Sequence, residues 1–414
     1  MCVCAPVRNP RQKSREDDSL SLSVVDLYAG AGGLSLGFAQ SGFQIAKAVE
    51  IDGWAVQTYR SNLGDHIVEC SVADFISQEA NQYTGVDVLI GGPPCQGFSI
   101  SARSRLETAN DSRNEEVKNF VLATKILSPK YVIFENVPQF GSFQDANGKS
   151  YGVFLKDALE ALGYFFSSGV LDATDFGVPQ NRKRFIAIGI QTEATSILKH
   201  LHSFLCPKEK GTGPVVSSWE AISDLPTVEP RTLSEDAILS YAQPPQNDYQ
   251  REMRIGSEVI HNHVPMRHTP RLVERFKKIE PGKKGVDVWS EAAPRKRSNV
   301  GAEGTRFDQN HRRMDPDRPS PTITAHMYST CLHPFQHRNI TVREAARLQS
   351  FPDMFRFFGK RTTLSKKLLE RKGLHEDAKL SQLNQVGNAV PPRLARGIAE
   401  FVLRAEGVYH ADCA

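Results

Sequence analysis

The sequence predicts an α/β protein, with a mostly parallel sheet, helices on both of its faces, and a smaller irregular region. From residue 24, short apolar runs alternate with longer amphipathic stretches, which is the pattern of repeated strand–helix units. A glycine-rich turn follows the first run, as in open α/β folds that bind nucleotide-type ligands. The alternation ends near residue 190, and the next stretch is rich in Pro, Gly and His without a clear period.

The individual elements are placed by their apolar patterns. Short apolar runs predict strands over residues 24–28, 45–49, 86–90, 131–134 and 184–188. Amphipathic patterns predict helices over residues 34–41 and 115–127, and a terminal helix over 393–404. Because helices separate the strands along the chain, we expect the strands to run mostly parallel.

We expect four parts along the chain. With 414 residues the chain is long enough for one large domain and a smaller one. Residues 1–21 are polar with mixed charges, and we predict that they form a disordered leader. The main domain is predicted over 22–190, the smaller module over 191–337, and a return to the main domain, including the C-terminal helix, over 338–406.

The composition indicates in which compartment the protein works and which kinds of site it lacks. It has 40% hydrophobic and 24% charged residues, and no apolar stretch approaches the length of a membrane span, so we expect no membrane partner. The N-terminus lacks the apolar core of a secretory signal, which favours the cytoplasm. The seven cysteines form no Cys-x-x-Cys pair, and their spacing indicates neither a zinc site nor a disulfide framework.

Positive charge is concentrated in one part of the smaller module. The whole chain has a net charge of only +4. Residues 191–250 contain 4 Lys/Arg and 8 Asp/Glu, a net charge of −4, whereas residues 251–320 contain 16 and 10, a net charge of +6. A basic, loop-rich module beside an α/β domain suits a surface that follows phosphates. A solvated charged face would give the same pattern.

A glycine-rich loop connects the first predicted strand to the first helix. It contains Asp26, Gly30, Gly32 and Gly33, and its glycines permit a tight turn and a close approach of the backbone to a ligand. The N-terminus of the following helix favours negative charge. Glu50 ends the next strand, as expected of a carboxylate that accepts hydrogen bonds from ribose hydroxyls. Alone, the loop fits a dinucleotide as well as S-adenosylmethionine.

The loop after the third predicted strand presents a cysteine. Its sequence, Gly-Gly-Pro-Pro-Cys-Gln-Gly-Phe-Ser at 91–99, is expected at the carboxyl edge of the sheet, where open α/β folds bind ligands. Two prolines restrict φ and hold the thiol in a defined direction. A lone cysteine is usually a small buried hydrophobe, but a core cysteine does not need glycine and proline on both sides. The pattern therefore predicts that Cys95 is a nucleophile.

Two further segments carry charged groups toward the same edge. Glu135 follows a predicted strand, and Arg182 and Arg184 lead into a later one. A carboxyl group, two guanidiniums and the thiol of Cys95 are therefore predicted to converge on one pocket, where nearby positive charge would lower the pKa of the thiol. Taken singly, Glu135 is also explained as a helix cap or surface carboxylate, and the two arginines as a surface basic run.

Together these motifs resemble those of the DNA (cytosine-5) methyltransferases, which are S-adenosylmethionine-dependent enzymes with a Rossmann-like fold. Residues 26–38 resemble the family's cofactor loop, and residues 343–352 resemble the segment after its variable region. Four more motifs follow the family's order: Pro-Pro-Cys-Gln at 93–96, Glu-Asn-Val at 135–137, Gln-Asn-Arg-Lys-Arg at 180–184 and Gln-Val-Gly-Asn-Ala-Val at 385–390. The resemblance covers about residues 22–190 and 319–403, and it indicates a bacterial or phage modification enzyme.

The resemblance implies a covalent mechanism. Cys95 would add to carbon 6 of cytosine, so that carbon 5 becomes nucleophilic enough to accept a methyl group. Glu135 would protonate or hydrogen-bond the N3 and N4 edge, while Arg182 and Arg184 would hold the O2 side and help to keep the thiol ionised. No metal is required. Because stacking hides the ring face, the target base must flip out of the duplex.

The resemblance also implies which residues bind the cofactor. Glu50 would bind the ribose of S-adenosylmethionine, and Asp74 with Ile51 its adenine. Tyr28 stands where many members have Phe, and Glu116 falls where many have an apolar residue against the adenine, which leaves that one contact unassigned. The other positions that match the family's cofactor site are Asp26, Gly30, Gly32, Gly33, Pro93, Asn388 and Val390.

Double-stranded DNA is the partner that the resemblance implies. Residues 97–117 resemble the loop that closes over DNA, and residues 191–337 occupy the place of the target recognition domain. The predicted DNA contacts are Gln96, Ser99, Arg103, Arg105, Arg113 and Thr322. The segment over 360–380, with 7 Lys/Arg and 3 Asp/Glu, is longer than the family's usual link, and is either a solvated surface helix or an accessory DNA contact.

The resemblance also leads to predictions about partners and metal binding. We expect a monomer that acts on DNA in the bacterial cytoplasm, and a restriction endonuclease of the same system as a functional partner. His261, His263 and His268 have no cysteine nearby, so we expect them near DNA or in local hydrogen bonds rather than on a metal ion.

Three alternatives begin from the same residues. One branch of the family modifies tRNA, but its Cys-Phe-Thr tripeptide is absent from the recognition region, and the long basic variable region favours duplex DNA. A non-catalytic scaffold of this fold would usually have lost Cys95, Glu135 or the loop glycines. A nicotinamide oxidoreductase accounts for the glycine loop alone and has no use for Pro-Pro-Cys-Gln.

Overall fold

The architecture comes from a computed structural model, which describes residues 21–94, 112–144, 148–191, 195–205, 215–230, 233–234, 236–288, 311–325, 330–362 and 379–407. Its main feature is a seven-stranded, mostly parallel sheet covered by helices on both faces. The predicted α/β class is therefore confirmed. No helix in these ranges is both long enough and apolar enough to cross a membrane.

The main sheet follows the apolar runs of the sequence. It consists of β1 (Ser23–Leu27), β2 (Gln44–Glu50), β3 (Ile67–Glu69), β4 (Val88–Gly91), β5 (Tyr131–Asn136), β6 (Phe165–Asp172) and β7 (Lys183–Ile190). Two short pairings lie outside it, β8 (Leu239–Ser240) with β9 (Val259–Ile260) and β10 (Arg312–Arg313) with β11 (Cys331–Leu332). The central strands β4 and β5 are buried at every position, as expected when both faces are covered.

The order of the strands creates a binding edge. Across the main sheet the order is β3-β2-β1-β4-β5-β7-β6. Strands β1 to β5 pair in parallel, whereas β7 runs antiparallel to both β5 and β6. The order reverses between β1 and β4, and open α/β sheets bind ligands beyond the carboxyl ends of the strands at such a switch point.

Helices occupy the connections and the second half of the chain. The helices around the sheet are α1 (Gly33–Gln40), α2 (Gly53–Leu63), α3 (Val72–Gln78), α4 (Ser112–Leu127), α5 (Tyr151–Ala161) and α6 (Thr195–Leu205). Those that follow are α7 (Ser218–Ile222), α8 (Asp248–Met253), α9 (Pro270–Lys277), α10 (Val342–Leu348), α11 (Gln382–Asn388) and α12 (Pro392–Ala405). Short 3-10 turns lie at Ala80–Tyr83, Pro138–Gly141 and Ala173–Phe176.

Local sequence explains where several helices begin. Helix α2 starts after Asp52, whose Oδ1 accepts the backbone N–H groups of Trp54 and Ala55, both at 3.0 Å. Helix α10 starts with a capping box, in which Thr341 and Glu344 satisfy each other's backbone N–H groups. Helices α9 and α12 each have proline in the first turn, where its missing N–H costs nothing.

Two apolar layers hold the helices on the sheet. On one face, Phe38 of α1 packs in a cluster with Leu394 and Ile398 of α12, so the C-terminal helix returns to the sheet. On the other face, Phe120 of α4 and Leu155 of α5 belong to a second cluster. Alternate residues of β5 enter the two clusters, which is the period-two pattern of a strand covered on both sides.

The sequence-based predictions placed most, though not all, of the main sheet. The five predicted strands correspond to β1, β2, β4, β5 and β7, and the three predicted helices to α1, α4 and α12. Strands β3 and β6 were not predicted. Helix α6 lies beyond residue 190, yet its Leu201 and Leu205 are buried in the core of the sheet. The proposed boundaries between the domains stay a prediction.

A buried network of charges connects the second half of the chain. Arg347 of α10 is fully buried and donates to both carboxylate oxygens of Asp353, each at 2.6 Å. It also donates to the carboxylate of Asp224 at 3.0 and 3.2 Å. Tyr241 donates to Asp353 at 2.6 Å, and Arg254 to Asp224 at 3.2 Å. The network therefore ties the region after residue 190 to helix α10.

The histidines of this region make local hydrogen bonds. The two ring nitrogens of His263 lie 2.8 Å from Thr341 Oγ1 and 2.8 Å from the carbonyl oxygen of Pro226. His268 accepts a hydrogen bond from the backbone N–H of Asn339 at 3.2 Å. Both arrangements agree with the local bonding expected from the sequence. Throughout the described part of the chain, no three His, Cys, Asp or Glu side chains are grouped so that they could hold a metal ion.

His333 makes the stability of this region sensitive to pH. Its side chain is buried, and its Nδ1 accepts the backbone N–H groups of Phe335 and Gln336 at 3.1 and 2.9 Å. Burial lowers the pKa of His333 from 6.5 to about 3. Because the pKa is lower in the folded protein, the stabilisation by neutral His333 is complete above pH 6.5 and decreases as the pH falls.

We predict that the wild-type protein loses stability relative to His333→Asn between pH 6.5 and 5. The asparagine oxygen can accept the same two N–H groups but does not titrate, so the difference should change by about 1 kcal/mol per pH unit over this range and approach about 1.4 kcal/mol per unit at lower pH. Urea unfolding of both proteins at several pH values measures it. Asp26 has a raised pKa, and its contribution to stability increases as the pH falls. Because both proteins contain Asp26, this contribution cancels in the difference between them. A difference that is constant over this range would contradict the account.

Candidate functional site

The ends of three neighbouring strands form the candidate site. Beyond β1 lies the glycine-rich loop, beyond β4 lie Gly92 and Pro93, and Glu135 lies near the end of β5. Asn136 donates from Nδ2 to the carbonyl oxygen of Pro93 at 3.2 Å. A Cβ atom on Gly92 would lie only 2.9 Å from Oε2 of Glu135, so glycine permits this close approach. The start of the proline loop is therefore held against Glu135.

Glu135 and Arg184 form a buried pair at this edge. Arg184 Nε lies 2.8 Å from Glu135 Oε1, and only about a tenth of either side chain is exposed. Arg184 reaches the pair because β7 runs antiparallel to β5, which places the start of β7 beside the end of β5. Burial raises the pKa of Glu135 above its ordinary value, against the attraction of Arg184 and Arg182. This carboxyl group is therefore suited to hold a proton for a substrate atom.

Arg182 lies next to this pair but also holds backbone together. Its side chain is completely buried and donates to the carbonyl oxygen of Ile323 at 2.7 Å. It also donates to the carbonyl oxygens of Gly387 and Ala389 at 3.0 and 2.9 Å. Arg182 thus joins the start of β7 to the segment before residue 325 and to the end of α11. Its predicted contact with cytosine stays a prediction.

The glycine loop after β1 has the tight geometry that the sequence predicts. Tyr28, Gly30 and Gly32 have φ values of 59°, 56° and 93°, in the left-handed region. A Cβ atom on Gly33 would overlap the carbonyl oxygen of Val390, so this glycine is required for α1 to pack against the chain before α12. At Gly30, by contrast, no protein atom among the described residues lies within 4 Å of the Cβ position. The open side of the loop is therefore at Gly30.

Asp26 lies beneath the loop as a fully buried carboxyl group. Its Oδ2 accepts a hydrogen bond from Ser35 at 2.6 Å, and Ser35 in turn lies 2.8 Å from the hydroxyl of Tyr59. Within the described ranges, Oδ1 of Asp26 has no hydrogen-bond donor. Burial raises the pKa of Asp26 to about 7, so the group is partly protonated at neutral pH. This oxygen is a candidate contact for a polar ligand atom.

Glu50 and Ile51 lie at the end of β2, on the other side of the loop. Glu50 Oε2 accepts the N–H of Gly30 at 2.8 Å, and Oε1 accepts the N–H groups of Ile51 and Asp52 at 2.9 and 2.8 Å. These contacts fix the carboxylate, whose oxygens can each accept a further bond. Ile51 exposes 69% of its side chain, unlike most large apolar residues of the domain. An oriented carboxylate beside an exposed apolar side chain suits a ribose and an aromatic base.

The remaining predicted cofactor residues belong to three different segments of the chain. Asp74 is exposed in the first turn of α3, and its Oδ2 accepts a hydrogen bond from Ser71 at 2.6 Å. Asn388 is exposed at the end of α11, and Val390 is buried against α1. Pro93 is buried after β4. Their contact with a cofactor stays a prediction.

A contact between Tyr28 and Glu116 was not anticipated from the sequence. The hydroxyl of Tyr28 lies 2.8 Å from Oε2 and 3.0 Å from the backbone oxygen of Glu116, and donates its proton to this residue. Burial and the neighbouring carboxylate raise the pKa of Tyr28, so the phenol stays protonated. Glu116 belongs to α4, and 88 positions separate the two residues. The two cofactor-site positions at which this chain differs from many family members thus lie in contact with each other.

Several predicted residues lie outside what the structure describes. These are Cys95, Gln96, Ser99, Arg103 and Arg105, together with most of the basic segment over 360–380. Arg113 belongs to α4, but its side chain is outside the description. Thr322 is described and exposed, and its Oγ1 donates to the carbonyl oxygen of Asn181 at 2.6 Å. This bond holds the Pro-Ser-Pro-Thr segment beside the start of β7.

Comparison with known proteins decides the family. A family model described as C-5 cytosine-specific DNA methylase matches residues 22–404. The chain belongs to this family. The methyltransferase is therefore a DNA (cytosine-5) methyltransferase, as its motifs predicted, and the third alternative, a nicotinamide oxidoreductase, is excluded.

Relatives of this methyltransferase cover nearly its whole length. It is 38% identical to the type II methyltransferase M.DdeI of Desulfomicrobium norvegicum over 92% of this chain and 88% of the relative. It is 33% identical to M1.HphI of Haemophilus parahaemolyticus over 93% and 87%. The solved structure of the S. pombe Dnmt2 methyltransferase has a TM-score of 0.53 at 15% identity, covering 93% of this chain and 99% of that one. At that identity the likeness supports the fold alone.

Proposed function

We propose that this methyltransferase transfers a methyl group from S-adenosylmethionine to carbon 5 of a cytosine flipped out of duplex DNA, through a transient bond to Cys95. The observation that carries the proposal is the buried Glu135–Arg184 pair, beside the loop that leads to Cys95. A carboxyl group with a raised pKa at this place is what addition of a thiolate to a pyrimidine requires.

The proposed reaction uses side chains of this protein, the target cytosine and one general base that accepts a proton. The thiolate of Cys95 forms a bond to carbon 6 of cytosine, and the electron pair of the 5,6 double bond becomes available at carbon 5. Glu135 supports this step by donating a proton or hydrogen bond to N3. Carbon 5 then takes the methyl group, and S-adenosylhomocysteine is the other product. A base removes the proton of carbon 5, N3 returns its proton to Glu135, the 5,6 double bond forms again, and Cys95 leaves as a thiolate. Arg184 and Arg182 would hold the O2 side of the ring.

The glycine loop fits S-adenosylmethionine. Gly30 leaves open space at the loop, Asp26 carries a buried oxygen without a donor among the described residues, and Ile51 exposes an apolar surface. When bound, S-adenosylmethionine supplies an electrophilic methyl group. Glu50 would bind the ribose, and Asp74 with Ile51 the adenine. The rest of the cofactor site would be formed by Asp26, Tyr28, Gly30, Gly32, Gly33, Pro93, Asn388 and Val390.

The region over 191–337 would bind the duplex. Helix α9 supports this, because Arg271 and Arg275 lie one turn apart, and the pKa of Arg275 is lowered first by burial and then by Arg271. Crowded guanidiniums are stabilised by a polyanion such as the DNA backbone. Thr322 and the arginines of the loop over 97–117 would contact the backbone near the flipped base. Base-specific contacts would come from the recognition region.

The cellular setting follows from the same proposal. Both relatives described above carry the name type II methyltransferase, and we infer that this enzyme also modifies DNA at a specific sequence in a bacterium. It would act as a monomer on DNA in the cytoplasm. A restriction endonuclease that recognises the same sequence would be its functional partner.

Tritium transfer and sequencing test the proposed function together. We expect purified protein to transfer tritium from labelled S-adenosylmethionine to duplex DNA, and not to a tRNA mixture assayed beside it. We expect bisulfite sequencing of DNA from cells that express the protein to show methylated cytosine in one sequence context, which is absent from cells with an empty vector. Transfer to tRNA without transfer to DNA would overturn the proposal.

A further inference from the structure

The pair of Tyr28 and Glu116 is unusual in its position. Tyr28 is the first residue after β1, at the switch point of the sheet, and its backbone is in the left-handed region with φ 59°. A bulky side chain rarely adopts this conformation, which costs about 1–3 kcal/mol and persists only where surrounding contacts hold it. The bond between its hydroxyl and Glu116 is such a contact.

Glu116 is fixed well enough to orient another residue. It lies in the second turn of α4, next to Val117 and one turn before Phe120, both of which are buried in the core below the sheet. Its Oε2 and backbone oxygen both face the hydroxyl of Tyr28, and Asn119 lies 3.4 Å from the same Oε2. The bond fixes the position of the Tyr28 hydroxyl and therefore the direction in which the Tyr28 side chain extends from the loop.

We propose that Glu116 is a positioning residue for S-adenosylmethionine, which acts by holding the ring of Tyr28 in its binding orientation at the glycine loop. The inference rests on the proposed use of this cofactor at the loop. It assigns a role to the one position where the cofactor contact was left open. Many family members have an apolar residue here that would contact the adenine directly. In this chain the Glu116 carboxylate would instead orient the ring of Tyr28.

The pair predicts a specific pattern of coupling between mutations. Tyr28→Phe leaves the Glu116 carboxylate without the phenol, and Glu116→Leu leaves the Tyr28 hydroxyl beside an apolar side chain. We expect each change to weaken binding of S-adenosylmethionine roughly tenfold, the effect of losing one hydrogen bond to a charged group. The double variant Tyr28→Phe/Glu116→Leu has an apolar pair in place of the polar one, so its loss should be about as small as that of one single variant.

Calorimetric titration with S-adenosylmethionine, together with KM and kcat on duplex DNA, tests this pattern. We expect KM for the cofactor to rise with its dissociation constant while kcat changes less than about twofold. Glu116→Gln should bind within about threefold of wild type, because the amide oxygen still accepts the bond. Glu115→Leu is the matched control, since Glu115 on the same helix forms an exposed pair with Lys118 and does not contact Tyr28 in the described structure.

Distinct outcomes separate the possible failures. Losses that multiply in the double variant would show that the two residues act independently, and would overturn the inference. A loss in Glu116→Gln as large as that in Glu116→Leu would assign the effect to charge instead of orientation, with the same consequence. If wild-type protein bound no S-adenosylmethionine at all, the proposed function itself would fail first.

Discussion

Replacing Glu135 with glutamine is expected to lower kcat for methyl transfer by about 10²–10⁴-fold, the usual contribution of a general acid or base. The amide has the same shape and can still accept the Arg184 bond, but it has no acidic proton to give to cytosine N3. Binding of S-adenosylmethionine should change little, because Glu135 is not among the residues of the glycine loop. Tritium transfer at saturating cofactor and DNA measures the loss.

The same variant should keep or gain stability. Folding raises the pKa of Glu135, so at neutral pH the ionised side chain is less favourable in the folded protein than in the unfolded chain. An uncharged amide does not carry this cost, and its unfolding temperature should be equal or higher. Glu160→Gln, at an exposed carboxylate paired with Lys156, is a control that should change neither property. Full activity in Glu135→Gln, or a clear loss of stability, would contradict the assigned role.

Replacing Arg347 with methionine is expected to destabilise the protein by about 3–5 kcal/mol, the cost of removing one partner from a buried ion pair. Arg347 provides four hydrogen bonds to Asp224 and Asp353, both completely buried. Without it, the two carboxylates keep contacts from Tyr241, Arg254 and Arg343 among the described residues. Urea unfolding at neutral pH measures the effect.

An exposed arginine provides the matched comparison. Arg251 pairs with Asp248, one turn earlier in α8, where the carboxylate is almost fully exposed. Arg251→Met should cost less than about 1 kcal/mol, because solvent screens such pairs. Adding Asp224→Asn and Asp353→Asn to Arg347→Met should recover part of the loss, since neutral amides tolerate burial better than unpaired charges. Equal losses for Arg347→Met and Arg251→Met would show that burial of the network has no energetic role.

The sequence predicted the strands whose residues are apolar throughout. Strands β4 and β5 are buried at every position, and a continuous apolar run marks such a strand without knowledge of its neighbours. Strand β6 has only one buried residue, Leu171, and a polar middle, so its pairing with β7 determines it more than its own sequence. Strand β3 is three residues long, which is too short for a periodic signal.

The site was predicted as a set of residues rather than as a geometry. The motifs indicated that Glu135 and Arg184 belong together, but the direction of β7 brings them together, and no local pattern gives the direction of a strand. Arg182 belongs to the same basic run as Arg184, yet its donors are directed toward backbone carbonyls of distant segments. The bond of Tyr28 to Glu116 joins residues 88 positions apart, which no spacing rule relates.

The account depends most on the bond between Cys95 and the cytosine ring, which a mechanism-based trap tests directly. In duplex DNA with 5-fluorocytosine at the methylated position, carbon 5 has no proton to lose, so the bond to Cys95 should persist. With S-adenosylmethionine present, wild-type protein should form a DNA complex that survives denaturing electrophoresis, and Cys95→Ser should form none. Absence of this complex from wild-type protein that methylates the unfluorinated duplex would contradict the covalent mechanism.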